Sequence, residues 1–235
     1  MKKPFRDLRK NKAKGKQERD PAYVEANIDI PDVKQNLITR QKFSELIYQP
    51  EHCAMQRPSE FWRVIERIAN INPRSILELG VCMGGSLYVF DHMLDKNGLL
   101  VGVDYEPTNV NWNYEDSENE IHLVRGDTRD PKVYDKVKSV LNGRKVDVLF
   151  HDADHSHPTV KNDIELYGSL VRDGGLIVIS DLVYVYDWWK NLGVIKPEDA
   201  HGNSKKLWHK EEIMEFTGTG FLTKIPEQTI IQFKE

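Results

Sequence analysis

Apolar positions recur along the chain in two rhythms. Between residues 37 and 70 they fall at helical spacing, in LITRQKFSELIY and SEFWRVIERIAN. In the second stretch Phe61, Val64, Ile65 and Ile68 share one face, Pro58-Ser59 supplies a start signal and Asn72-Pro73 a stop. From Ser75 onward short, nearly continuous apolar runs take over: SILELG, LLVGVD, IHLVRGD, VDVLFHD and GLIVISD. Between them lie helical stretches from about Ser86 to Leu94, Lys132 to Leu141 and Pro158 to Leu170, and an acidic loop from Pro107 to Asn119. Strands apolar on both faces that alternate with helices predict a parallel sheet covered on both sides, with right-handed crossovers. Past Asp181 the pattern changes to an aromatic loop, VYVYDWWKNLGVIKPEDAHGNSKK, then a short helix near Leu207 to Phe216. Two closing strands follow, FLTKI and TIIQFK, joined through Pro226-Glu227-Gln228 as an antiparallel hairpin. The fold expected is α/β: a doubly wound, mostly parallel seven-stranded sheet with a C-terminal hairpin.

With 235 residues, 39% of them apolar and 30% charged, the chain is long enough for one sizeable core. That core is expected over residues 36–235, beginning with a helical cap at 36–72 and preceded by a basic, flexible arm at 1–35. The first twenty residues, MKKPFRDLRKNKAKGKQERD, are rich in Lys and Arg and nearly lack large apolar side chains, so they read as a solvated tail or an anion contact. A net charge of -4 gives no global reason to expect nucleic acid or a membrane as the main partner. No apolar run approaches the roughly 18 residues that span a bilayer, and the arm lacks a signal peptide's apolar segment; a cytoplasmic protein is expected. Cys53 and Cys82 are too few for a disulfide framework, and Cys82 reads as a small buried thiol.

In an open α/β sheet ligands bind beyond the carboxyl ends of the strands. Residues there are Glu78 to Ser86, Asp104, Asp127, His151 to His157, and Ser180 with Asp181. Any one of these acids fits a loop cap; an acid or polar cluster ending five consecutive strands fits a binding rim. The glycine turn, Gly80-Val81-Cys82-Met83-Gly84-Gly85-Ser86, places Cys82 where a GxGxxG loop has its second glycine, which disfavours a dinucleotide. Glu78, two residues before the first glycine, points to a ligand carrying positive charge rather than polyphosphate.

ILELGVCMGGS followed by VGVD resembles the first two motifs of class I S-adenosylmethionine-dependent methyltransferases. The likeness runs on through RGDTRDP and VDVLFHDADHSHPTVKNDIELYGSLVRDGGLIVISD, over about residues 55 to 235. The central segment is similar to the cephalosporin-hydroxylase-like and macrolide-sugar O-methyltransferases, several of which use a divalent metal. The resemblance implies that Glu78, Gly80, Gly84, Gly85 and Ser86 surround the methionine part of S-adenosylmethionine, Asp104 the ribose, and Asp127 with Thr128 the adenine. It implies Asp152 and Asp181 as ligands of Mg²⁺, with Asp152 also at the cofactor, and His155 as a base. Relatives commonly carry a second acid or amide beside the strand-five ligand, where this chain has Ser180.

Chemistry points the same way. A sulfonium methyl is already activated, so catalysis reduces to aligning an acceptor and removing its proton. A hydroxyl acceptor gains from a carboxylate-held ion and a histidine that titrates near neutrality. The acceptor is expected to be a small polyhydroxylated or sugar-bearing molecule. Alternatives are a noncatalytic cofactor- or nucleic-acid-binding protein of the same fold, and a metal-dependent hydroxylase or oxidoreductase. His151, Asp152, Asp154, His155 and His157 together suggest a transition-metal site, although HxHxDH spacing is absent because Ala153 intervenes. Tyr184, Tyr186, Trp188 and Trp189 are expected to overhang the rim, with Trp208 and His209 bordering it, either as an acceptor pocket or, with the N-terminal helices, as the interface of a homo-oligomer.

Overall fold

The computed structural model describes residues 38–48, 54–192 and 208–224. The basic arm, Cys53, the segment 193–207 and TIIQFK lie outside the described residues.

Two helices come first: α1 (Arg40–Ile47), whose first turn is capped by Thr39 Oγ1 accepting the Lys42 N–H at 3.1 Å, and α2 (Pro58–Ala69). Strands and helices then alternate as β1 (Ser75–Leu79), α3 (Gly85–Met93), β2 (Leu99–Asp104), β3 (Glu120–Arg125), α4 (Pro131–Leu141), β4 (Val146–His151), α5 (His157–Tyr167) and β5 (Val171–Ile179). The chain continues through α6 (Tyr186–Asn191), β6 (Trp208–Ile213) and β7 (Thr219–Lys224). The sheet order is β3-β2-β1-β4-β5-β7-β6, with β1 to β5 parallel and β7 antiparallel to both its neighbours.

Strand side chains alternate between two cores because successive Cβ atoms point to opposite faces. Ile76, Leu100, Val148, Phe150, Leu176 and Val178 meet α1, α2 and α3, where the rings of Phe90 and Phe150 lie 5.2 Å apart and that of Phe61 lies 5.8 Å from Phe90. Leu77, Leu79, Val101, Val103, Leu149, Ile177 and Ile179 meet α4 and α5 on the other face. No helix among the described residues is long and apolar enough to cross a membrane.

The C-terminal part departs from expectation. Residues 208–213 form β6 rather than a helix, and Phe221 to Lys224 of FLTKI belong to β7, which pairs with β5 and β6; the expected partner TIIQFK lies outside the described residues. Lys210, Glu211 and Glu212 carry helical propensity, but pairing with β7 overrides it. Trp189, expected at the rim, is buried in the second core, where its ring fills the space a Cβ on Gly220 would need.

At the amino end of the sheet Asp147 joins β1, β4 and β5. Its carboxylate accepts from the Arg74 N–H at 2.7 Å, from the Ser75 N–H at 2.9 Å and hydroxyl at 3.0 Å, and from the Arg172 guanidinium. Burial works to raise its pKa, but these donors prevail and hold it below the ordinary value of 3.8. A carboxyl depressed by folding stabilises above its unfolded pKa and loses that contribution as pH falls through the folded one. Asp147→Ala should therefore cost about 1–3 kcal/mol at pH 7 in urea unfolding, with the gap to wild type narrowing below about pH 4.

Candidate functional site

The carboxyl end of the sheet is built on a backbone crossing. Gly80 ends β1 with φ +94°, and a Cβ placed there would lie 2.2 Å from the carbonyl oxygen of Asp152, so only glycine lets the turns after β1 and β4 pass. The crossing is tied by the Asp152 N–H to Leu79 C=O at 2.8 Å and the Gly80 N–H to Val103 C=O at 2.8 Å. Gly84 caps α3 in the left-handed region, φ +84°, and the Trp112 indole occupies its side-chain space while donating to the Gly84 carbonyl at 3.1 Å. Gly85 opens the helix.

Glu78 lies beneath this turn, fully buried and hydrogen-bonded by the Ser86 hydroxyl, while its Oε2 has no partner. Burial pushes its pKa well up against the Ser86 bond, and the charges of Asp152 and Asp104 add to the shift. Asp104, at the end of β2, accepts the Cys82 N–H at 2.8 Å and the Glu106 N–H at 2.9 Å, which orients its carboxylate toward the turn. Cys82 itself is half-buried with φ +51°.

Asp127 and Thr128 are engaged elsewhere. Asp127 pairs with Arg129, 2.7 Å from Oδ2 to the guanidinium, and that bond holds its carboxyl far below the usual range. The Thr128 hydroxyl donates to Asp163 at 2.8 Å, and Asp163 also meets His151 Nε2 at 3.1 Å in a fully buried network. Both side chains implied at the adenine therefore carry a local partner.

Asp152, His155 and Asp181 converge: each offers one ligand atom, and the three atoms lie within 4.8 Å of one another. His155 Nε2 is 3.2 Å from Asp181 Oδ2 and 3.8 Å from Asp152 Oδ1. Asp152 also accepts from Gln56 Nε2 at 2.5 Å and from the Ser180 hydroxyl, yet burial, aided by the Asp181 charge, pushes its pKa up to about 7. Burial also lowers the pKa of His155, opposed by Asp181, and His155 Nδ1 is buried without a partner. Asp181 adopts φ +54°, a conformation held because Leu182 and Val183 donate to the carbonyls of Gly218 and Thr217 at 2.9 and 2.8 Å.

The wider histidine cluster does not assemble. His151 points into the buried network, Asp154 caps α5 through Ser156 and Thr159, and the His157 ring lies 6.1 Å from Trp188. Tyr184 alone of the loop aromatics stands over the triad, 66% exposed and 5.9 Å from the His155 ring. Gln56 and Glu60, unremarked in the sequence, are also drawn in: Glu60 is buried, accepts the Thr219 hydroxyl at 2.8 Å, and has its pKa raised by burial and by the Asp181 charge. Their only local signal is position, at the entry to α2.

The description Rhamnosyl O-methyltransferase/CmcI matches residues 45–203. The chain belongs to the rhamnosyl O-methyltransferase/CmcI family. An uncharacterized protein of Acanthamoeba polyphaga mimivirus is 31% identical over 134 residues, covering 51% of this chain and 58% of that one. The ribosomal RNA large subunit methyltransferase E of Psychrobacter cryohalolentis is 27% identical over 78 residues, covering 33% of this chain and 34% of that one. The chain thus spans well under two thirds of the curated relatives it matches. Among solved structures, the MycE methyltransferase of the mycinamycin biosynthetic pathway, in complex with Mg, SAH and mycinamycin VI, is 20% identical with TM-score 0.52, covering 78% of this chain and 54% of that one. An O-methyltransferase from Bacillus cereus in complex with SAH is 15% identical with TM-score 0.55, covering 87% and 96%. These likenesses establish the Rossmann-like methyltransferase fold for this family member.

Glu78 allows a direct test of the buried carboxyl. Its folded pKa is raised, so its contribution to stability is greatest below its unfolded value of 4.5 and is lost as pH climbs from there toward the folded value. Glu78→Gln removes that loss. Urea midpoints of the ligand-free protein should match wild type near pH 4.5 and exceed it at pH 8.

Proposed function

We propose that this chain is an S-adenosylmethionine-dependent O-methyltransferase acting on a hydroxyl of a small polyhydroxylated or sugar-bearing molecule, assisted by a divalent cation, Mg²⁺. The observation that carries the reading is the convergence of Asp152, His155 and Asp181 beside the Glu78–Asp104 turn.

The residues fit both groups. Glu78 keeps a buried oxygen without a partner, and Asp104 closes β2 across the turn, an arrangement suited to a ligand with a cationic end and a ribose. S-adenosylmethionine, when bound, supplies a methyl group on a sulfonium that needs only an aligned nucleophile. Asp152 and Asp181 form a hard, oxygen-rich, negatively charged pair whose mutual repulsion a cation relieves. Mg²⁺ held by Asp152 and Asp181 would lower the pKa of an acceptor hydroxyl.

His155 takes the remaining task. Its burial disfavours the imidazolium, so the ring is neutral near pH 7 and Nε2 accepts the acceptor's proton. Bound S-adenosylmethionine would give its methyl group to the acceptor oxygen and leave as a neutral thioether, while His155 Nε2 takes the acceptor's proton. The pairing with Asp181 then stabilises the imidazolium. Tyr184, exposed and 5.9 Å from the His155 ring, would meet the body of the acceptor.

His155→Ala should lower kcat by about 10²- to 10⁴-fold while leaving the dissociation constant for Mg²⁺ within a factor of two. Loss of Mg²⁺ binding instead would make His155 a ligand rather than the base. A second measurement addresses Glu78: burial raises its pKa, and a sulfonium or ammonium settling beside it would bring that pKa back down. Calorimetry with S-adenosylmethionine at pH 7 in buffers of different ionisation enthalpy should show net proton release in wild type and much less in Glu78→Gln.

A further inference from the structure

Gln56 enters the triad from a distant part of the chain. It precedes α2, 96 residues before Asp152, and its Nε2 donates to Asp152 Oδ2 at 2.5 Å. The amide's other end, Oε1, is buried and has no hydrogen-bond partner. A buried carbonyl oxygen without a donor is uncommon, and here it sits on an amide already in contact with one of three converging ligand side chains. Nitrogen and oxygen of a glutamine amide are nearly equivalent in shape, and the terminal torsion is broad, so a half-turn exchanges them.

The segment is held in place from its α2 side. The Arg57 guanidinium lies 4.2 Å over the Phe216 ring, and Glu60 accepts from Thr219, so the entry to α2 is clamped to the turn between β6 and β7. That same turn takes the Leu182 and Val183 N–H groups that fix Asp181. Gln56 and Asp181 are therefore positioned by one shared element, and Ser180, beside Asp181, spends its hydroxyl on Asp152.

We infer that Gln56 is an oxygen ligand of the divalent cation: its amide donates to Asp152 when the ion is absent and turns Oε1 into the coordination shell when the ion binds. This rests on the reading of Asp152 and Asp181 as cation ligands. It supplies the neutral oxygen that Ser180 does not, which suits a hard cation whose shell mixes carboxylate, amide and water.

Mn²⁺ serves as a probe of the full-length protein. Electron paramagnetic resonance titration gives its affinity, and water-proton relaxation counts exchangeable waters on the bound ion. Gln56→Ala should weaken Mn²⁺ binding about 10- to 100-fold and add one water to the bound ion, while Gln56→Glu keeps the wild-type count. Circular dichroism of both variants should match wild type, since Gln56 is only partly buried. Weaker binding with an unchanged water count would leave Gln56 merely a hydrogen-bond donor to Asp152 and overturn the inference, as would unchanged affinity. If wild type and Asp152→Asn alike fail to bind Mn²⁺, the cation reading itself falls and takes this one with it.

Discussion

The contact between Gly80 and the Asp152 carbonyl governs this end of the molecule. With no room for a methyl group, the turn after β1 is pressed onto the start of the β4–α5 loop, and two backbone hydrogen bonds lock the crossing to β1 and β2. Glu78 is thereby sealed beneath its own turn, and Asp104 finds the Cys82 N–H within reach. Asp152 is set at the mouth of the same cleft. The turn thus acts less by admitting a ligand's phosphate than by fixing where three carboxyl groups stand.

Those carboxyl groups make the site electrostatically incomplete. Glu78 is raised first by burial and then by Asp152 and Asp104; Asp152 is raised first by burial and then by Asp181. Other acids among the described residues have cationic partners: Asp127 has Arg129, Asp147 has Arg172 and three further donors, and Glu120 has Arg144. Among the described residues, the carboxyls raised by burial, Glu78, Asp152 and Glu60, gather at this end of the sheet. Groups perturbed by burial together with a neighbouring charge, gathered in one cleft, mark a candidate functional site.

How far this was legible depends on how local each cause is. The five parallel strands were readable because burial from both sides writes uninterrupted apolar runs, and the strand-end acids followed from where those runs stop. Asp152 and Asp181 share a neighbourhood because β4 and β5 pair with His151 opposite Ile179, a relation that strand order supplies. Residues 208–213 were misread because KEE favours a helix in isolation, whereas the pairing that makes it a strand comes from β7. Asp127 and Thr128 carried a motif's expectation, but Arg129 and Asp163 claim their side chains, the latter from 35 residues away. Gln56 was invisible for the same reason at greater range.

The C-terminal hairpin has a part in the site that its position at the sheet's edge conceals. A left-handed Asp181 is costly for a residue with a side chain, and it persists only where neighbours over-determine it. The turn between β6 and β7 does this by accepting two successive N–H groups after Asp181, and it also anchors α2 through Thr219 and Phe216. Movement of that turn would therefore shift Asp181 and Gln56 together while leaving Glu78 and Asp104, which hang from β1 and β2, in place. The fold thus separates a half positioned by parallel strands from a half whose geometry is set by an antiparallel appendage, so the second can vary without disturbing the turn after β1.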